Sequence, residues 1–150
     1  MKQTPAWDVA VAALTALHDQ LAAAEKKGPT AFEHAFHHPP AGVGVHEIDL
    51  GHVIRRVSKE ELRMLGYSEK QMVGHAAWEF IVMQEASQRA IEQKLAGKKE
   101  FKPFARTFRR ADGNAMALLL LDRPISNAAG ETVGLRTTMT KLPERAVAGG

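Results

Sequence analysis

Residues 57–74 constrain the fold of this chain more than any other segment. Within them a serine twice stands three residues before an acid or an amide, as Ser58 before Glu61 and Ser68 before Gln71. This is the spacing of a capping box, in which two side chains satisfy free N–H groups at the start of a helix. A glycine suited to a left-handed helix end follows each box. The segment therefore predicts two very short helices in direct succession.

Turn residues and changes in periodicity divide the chain into three parts. Residues 1–41 form an N-terminal helical cap that serves for dimerisation, residues 42–145 form the core domain, and residues 146–150 form a disordered tail. In the core domain, period-two patterns predict strands over residues 43–49, 52–57, 101–110, 115–125 and 132–142, and helical spacing predicts a helix over 85–95. This order predicts an α+β fold, with a five-stranded antiparallel sheet flanked by short helices and an N-terminal amphipathic helix.

Two helices are predicted in the N-terminal cap. Thr4 and Pro5 supply a cap and a first helical position, and the helix ends at Lys27 before a Gly-Pro pair. Thr30 and Glu33 have the spacing of another capping box, which predicts a second helix of one or two turns.

The fourth predicted strand is apolar on both faces, because residues 118–121 are consecutive leucines. A sheet with one wet face would alternate apolar and polar side chains. The outer face at Leu119 and Leu121 must therefore be covered, and an amphipathic stripe on the first helix is available. The stripe consists of Trp7, Val11, Leu14, His18 and Leu21. Either the helix packs on its own domain, or it comes from a second subunit and the protein is a homodimer.

Composition excludes several classes of function. The chain has no cysteine, so disulfides, thiol nucleophiles, Cys-ligated metals and photochemistry through a cysteinyl adduct are impossible. A net charge of +3 without a long basic run favours a solvated surface over a nucleic-acid interface. Neither a bilayer-spanning run nor a signal peptide is present, which makes a cytoplasmic protein without membrane attachment the default. A phosphate loop and a nucleophile elbow are also absent. The acids at 60, 61 and 69 are explained by helix caps and exposed faces. We therefore expect that the protein is not an enzyme.

The core domain resembles the PAS domain, a sensory module of bacterial signalling proteins. The resemblance covers residues 43–145 and lies in the order and spacing of several short motifs. These are Asp49 before the second strand, Ser58 with Gly66-Tyr67-Ser68, residues 71–74, the Arg-Arg-x-Asp-Gly hairpin at 109–113, and Pro124, Gly130 and Gly134. The chain departs from the family at residues 82–85, where His-Pro-x-Asp is usual, and at 141–143, where Asp-Ile-Thr is usual.

The resemblance implies a cavity between the sheet and the short helices, with a nearly apolar lining. The implied lining is Tyr67, Met72, Trp78, Phe80, Met83, Phe104, Arg106, Leu118, Leu120, Leu135 and Met139. Such side chains suit a small apolar or aromatic ligand. Arg106 is the candidate for binding a ligand carboxylate, with a solvent-facing position as its alternative. The other interpretation of the whole set is a core filled at normal density.

From the sequence, the protein either has no cofactor or has one that the residues do not identify. Haem-binding members of the family take their axial histidine from the long helix, which has none here, so His75 is the remaining candidate for haem. Flavin is the second alternative, with Trp78 as a stacking partner. His34 and His38 have a spacing that suits zinc, but no third ligand is placed beside them, so surface histidines are favoured and no metal site is predicted.

The resulting hypothesis is a sensory or protein-interaction domain of a bacterial signal-transduction protein, such as a two-component system. It binds a small apolar ligand or none, dimerises through the N-terminal helix, and acts on an unknown signalling partner. Its alternatives are a ligand-free dimerisation module and a haem or flavin sensor of redox state or gas. The chain is either a stand-alone protein or a piece of a longer sensor.

If the helix stripe forms a dimer interface, Leu14→Asp and Leu119→Asp should each weaken dimerisation, because each places a charge in an apolar contact. Light scattering measures the mass of each variant, and a monomeric wild type would contradict the dimer.

Overall fold

A computed structural model of the chain describes residues 5–143. Its helices are α1 (Pro5–Lys27), α2 (Pro29–His37), α3 (Lys59–Leu65), α4 (Glu69–Met72) and α5 (Gln84–Leu95), with a 3₁₀ turn (Ala77–Phe80) before α5. Its strands are β1 (Val43–Asp49), β2 (Ile54–Val57), β3 (Phe104–Arg109), β4 (Ala115–Ser126) and β5 (Thr132–Lys141). The predicted cap at Thr4 and the predicted disordered tail lie outside the described residues.

The five strands form a single sheet in the order β2-β1-β5-β4-β3, and every neighbouring pair is antiparallel. The predicted fold class is therefore confirmed. The last strand lies at the centre, between the first strand and the two strands of the preceding hairpin. Within the described part of the chain, no helix has the length and apolarity needed to cross a membrane.

Two strands begin later than predicted. β2 begins at Ile54, because the Asp49 carboxylate accepts hydrogen bonds from the N–H groups of Gly51 and Val53, at 2.8 and 3.1 Å, and holds the intervening residues in a turn. β3 begins directly after Pro103, whose missing N–H prevents it from extending the ladder.

The three predicted capping boxes have different outcomes. The box of Ser68 and Gln71 is confirmed, with both reciprocal hydrogen bonds present. The box at Thr30 is wrong, because α2 begins at Pro29, two residues before the first helical position that a Thr30 cap would give, and the fixed φ of proline suits that start. The box at Ser58 is only half formed: the serine Oγ accepts from the Glu61 N–H at 3.3 Å, but the Glu61 carboxylate turns into the core.

α1 covers the outer face of its own sheet. Leu14, Leu17 and Leu21 have no exposed surface and pack in one apolar cluster with Leu119 and Leu121 of β4. α2 completes this layer through its two buried phenylalanines. The cover that the leucine run of β4 requires thus comes from the same chain.

This packing changes the meaning of the predicted dimer interface. Five of the seven residues assigned to it are buried within the single chain, namely Leu14, His18, Leu21, Leu119 and Leu121, and the other two, Trp7 and Val11, are half-buried. Aspartate at position 14 or 119 would therefore also loosen α1 from its own sheet. The homodimer remains a prediction, and it requires another surface or an exchange of α1 between subunits.

A buried histidine joins α1 to β4. The Nε2 of His18 lies 2.8 Å from the carbonyl oxygen of Leu121, and the side chain is 2% exposed. Burial, together with the charges of Arg123 and Arg136, lowers the pKa of His18 from 6.5 to about 4. The imidazole is therefore neutral at pH 7 and donates its N–H to the carbonyl.

We expect acid to weaken the attachment of α1. The folded pKa of His18 lies below its unfolded value, so its contribution to stability is complete above pH 6.5 and is lost as the pH falls towards 4. Over that interval the free energy of unfolding should fall by up to about 1.4 kcal/mol per pH unit. Urea denaturation over this pH range gives the slope of the unfolding free energy against pH for wild type and for His18→Gln, which keeps a donor for the carbonyl. The difference between the two slopes is the contribution of His18. His34→Gln, at an exposed histidine, is the control, and equal slopes for wild type and His18→Gln would contradict the assignment.

Candidate functional site

A row of polar side chains crosses the inner face of the sheet. His46 of β1 is paired in register with Thr137 of β5, which is paired with Asp122 of β4. All three are at least nine-tenths buried, on a face that is otherwise covered by an apolar cluster. Because buried polar groups are costly unless they are hydrogen-bonded, each end of this row requires a partner.

Lys94 of α5 supplies the partner at the β4 end. Its Nζ lies 2.7 Å from Oδ2 of Asp122, while the hydroxyl of Thr137 donates to Oδ1 at 2.5 Å. The ammonium group also lies 3.5 Å from the ring centroid of Phe104. Burial lowers the pKa of Lys94, and the charge of Asp122 opposes that shift. The result is a buried ion pair that joins α5 to the sheet.

Glu61 of α3 supplies the partner at the β1 end. Its carboxylate oxygens lie 2.8 and 3.0 Å from Nδ1 of His46, and it has no exposed surface. Burial alone would lower the pKa of His46, but the charge and hydrogen bond of Glu61 raise it above its usual value. Gly44 permits this approach, because a Cβ there would lie 2.8 Å from the Cβ of Glu61 and 3.0 Å from its Cα.

The interpretation of Glu61 as a helix cap on an exposed face is therefore wrong. A signal for its true position was present in the sequence. Glu61 stands three and four residues before Met64 and Leu65, so helical periodicity places it on the buried face of α3. Likewise, Asp122 continues the alternation of Leu118 and Leu120 on the inner face of β4.

A narrow cavity of about 30 Å³ lies between the sheet and α5. It is lined by His46, Ile48, Ala77, Ile81, Ser87, Ala90, Ile91, Lys94, Phe104, Arg106, Phe108, Leu120, Asp122, Leu135 and Thr137. A volume of this size holds about two water molecules. Most of the surface that faces this cavity is apolar, as expected, although six of its fifteen lining residues are polar or charged.

Four of the residues assigned to the lining by the resemblance do line this cavity: Phe104, Arg106, Leu120 and Leu135. Four others belong to the filled apolar core, namely Met72, Phe80, Leu118 and Met139. Three more lie away from the cavity. The hydroxyl of Tyr67 donates to the carbonyl of Arg109 at 2.6 Å, Trp78 is half-buried on the 3₁₀ turn, and Met83 is 65% exposed at the start of α5.

Neither flavin nor haem fits these residues. Pockets for molecules of that size measure about 300–1,000 Å³, far more than this cavity offers. The site also places a buried ion pair where a planar ring system would need apolar walls. His75, the candidate axial ligand, is half exposed, lies 3.5 Å from Glu79 and does not line the cavity.

No group of three histidines, cysteines or acids suited to a metal is found in residues 5–143. His34 and His38 stack their rings with centroids 4.2 Å apart, and Nδ1 of His38 lies 2.8 Å from the carbonyl oxygen of His34. The ring stacking and the contact with the carbonyl account for the positions of both rings without a metal.

The site does contain groups capable of acid–base chemistry, which the sequence analysis did not place there. His46 with Glu61 is such a pair, and Lys94 with Asp122 is another. Each group is engaged by its partner, and the adjoining volume holds about two water molecules. The arrangement therefore has room for a very small molecule and none for a larger substrate.

Comparison with known proteins identifies the family. A family model described as PAS domain matches residues 40–140. The PAS domain of an HTR-like protein from Haloarcula marismortui has a TM-score of 0.62 at 19% identity, over 83% of this chain and 97% of that one. The PAS domain of a Colwellia psychrerythraea protein has a TM-score of 0.64 at 17% identity, over 75% of this chain and 95% of that one. A LOV protein of Rhodobacter sphaeroides has a TM-score of 0.58 at 19% identity, over 71% of this chain and 63% of that one. No curated protein matches the chain.

We expect Glu61→Gln to lower the pKa of His46, because the variant removes the largest carboxylate contribution that opposes burial and leaves only the smaller ones of Asp122 and Glu47. Titration of the imidazole by NMR measures the midpoint in each protein. Glu79→Gln removes a carboxylate beside the exposed His75 and should leave the His46 midpoint unchanged. A midpoint that is the same in wild type and Glu61→Gln would show that the pair does not set the charge of His46.

Proposed function

The chain belongs to the PAS domain family, and on this premise we propose that it is a sensory domain whose signal is a very small polar molecule in the cavity between the sheet and α5. The proposal replaces the small apolar or aromatic ligand that the resemblance implied. It is supported by the small volume of the cavity and by the six polar or charged residues among those that line it.

The observation that carries the proposal is the hydroxyl of Ser87. This side chain is 2% exposed and lines the cavity, and among the described residues its Oγ has no hydrogen-bond partner. An unsatisfied buried hydroxyl costs about 1–3 kcal/mol. A small polar molecule beside it would remove that cost, so binding is favoured by a group that already faces the cavity.

α5 is suited to respond to such a molecule. The fully buried residues of this helix are Ser87, Ala90 and Lys94, and its larger apolar residues, Ile91 and Leu95, pack against the core only partly buried. Hydrophobic burial scales with apolar area, so a shift of α5 costs less than a shift of a leucine-rich helix would. Occupancy of the cavity would therefore change the position of α5, provided that the ligand binds one position better than the other.

The two layers that cover the sheet meet at neighbouring residues of β4. Asp122 points to the inner face and binds Lys94, whereas the preceding Leu121 offers its carbonyl to His18 on the outer face. A displacement of α5 that pulls on Asp122 would thus act on the attachment of α1. We propose that α1 passes the signal to an unidentified partner or to a second subunit.

The test is a screen of the purified protein by NMR with molecules of up to about four heavy atoms, including acetamide, ethanol, urea and acetate. At least one should shift the amide signals of Ser87 and Lys94 and also those around His18. Ala90→Leu fills the cavity and should abolish the shifts. Ala96→Leu, the same substitution at the exposed C-terminal cap of α5, should retain them. If every probe acts equally on wild type and Ala90→Leu, the proposal is wrong and a ligand-free interaction module is favoured.

A further inference from the structure

The charges of the side chains that line the cavity do not sum to zero. Lys94 is paired with Asp122, and His46 is paired with Glu61, so each of these pairs contributes about zero net charge when both partners are ionised. Both oxygens of Asp122 are already used, one by Lys94 and one by Thr137. A ligand therefore finds no free carboxylate oxygen in the polar row.

Arg106 is the remaining charge. It stands on the inner face of β3, in register with Leu118, and lines the cavity. One of its N–H groups donates to the carbonyl of Ala105 at 2.8 Å, and its guanidinium carbon lies 4.8 Å from the ring centroid of Phe104. Among the described residues, no carboxylate lies within ion-pair distance of it. The cavity lining thus carries one surplus positive charge with unused donors.

A basic groove opens beside the cavity. This groove of about 440 Å³ is lined by Lys94, Lys98, Lys99, Glu100, Lys102, Pro103 and Phe104, and it shares Lys94 and Phe104 with the cavity. Glu100 is the acid in this set, and it lies 3.0 Å from Lys102. Grooves lined by one sign of charge concentrate ions of the opposite sign. Anions are therefore concentrated in a groove that shares Lys94 and Phe104 with the cavity.

From these observations we propose that the ligand is a small planar monoanion, foremost a one- or two-carbon carboxylate, held between the guanidinium of Arg106 and the hydroxyl of Ser87. A single negative charge matches the single surplus positive charge. A planar anion matches the fork of guanidinium donors, which binds carboxylates through two parallel hydrogen bonds. The serine hydroxyl donates a further bond, and the cavity volume limits the anion to a few heavy atoms. This inference rests on the proposed sensory function and names its ligand class.

The probes that test the inference are sodium formate, acetate, nitrate and chloride, with formamide and acetamide as neutral molecules of the same shape. Calorimetric titration gives each dissociation constant. We expect wild type to bind formate or acetate and to bind the matching amide at least about tenfold more weakly, because the amide lacks the charge. Arg106→Gln should weaken carboxylate binding by about tenfold to a hundredfold, and Ser87→Ala by about two- to tenfold.

Arg89→Gln is the matched control, since it removes the same charge from the exposed side of α5 and should leave binding unchanged. Circular dichroism checks that each variant is folded, and Arg106→Lys, which keeps the charge and loses the fork, should bind with intermediate affinity. Tighter binding of nitrate than of any carboxylate would identify an inorganic anion of the same proposed class.

Three outcomes overturn the inference and leave the sensory function standing. These are equal binding of acetate and acetamide, equal loss of binding in Arg106→Gln and Arg89→Gln, and binding of chloride as tight as that of the planar anions. Binding of no probe, charged or neutral, together with no effect of Ala90→Leu, would overturn both proposals.

Discussion

The structure depends on a sheet that must be covered on both faces. Residues 118–121 place leucines alternately on the two sides of β4, and all four side chains are buried. The outer pair is covered by α1 and the inner pair by the apolar core beneath the short helices. The domain is therefore three layers thick, and β4 and β5 contact both outer layers. An event on one side of the sheet reaches the other side through these two strands.

The inner face combines this apolar cover with a buried polar row. A buried ion pair gains little net stability, because removing each charge from water costs about several kcal/mol. Such a pair nevertheless opposes any rearrangement that would separate its partners. Lys94 with Asp122 fixes α5, and His46 with Glu61 fixes α3, each at one end of the same row. The cavity lies along this row, so a charged or polar molecule there would meet groups whose arrangement also positions two helices.

Local chemistry was sufficient to predict most of the fold. Capping residues, glycines and alternation predicted every helix and strand, with errors of a few residues where the carboxylate of Asp49 or the ring of Pro103 delays a strand. The candidate site was predicted less well. Arg106 and Phe104, which the resemblance assigned to the lining, do line the cavity, whereas Glu61, which was interpreted as a surface acid, is buried. Residue type was given more weight than periodicity, although helical spacing places that acid on the buried face.

The sequence by itself determined the order of the elements, the need to cover both faces of β4, and the family, because each follows from short motifs and from the order of those motifs along the chain. Only the tertiary structure decided that α1 covers its own sheet and that the cavity is narrow with two buried ion pairs beside it. The physical reason is that these features depend on contacts between distant residues. Lys94 meets Asp122 across 28 positions, and His18 meets Leu121 across 103. No local pattern reports which buried charge finds which partner.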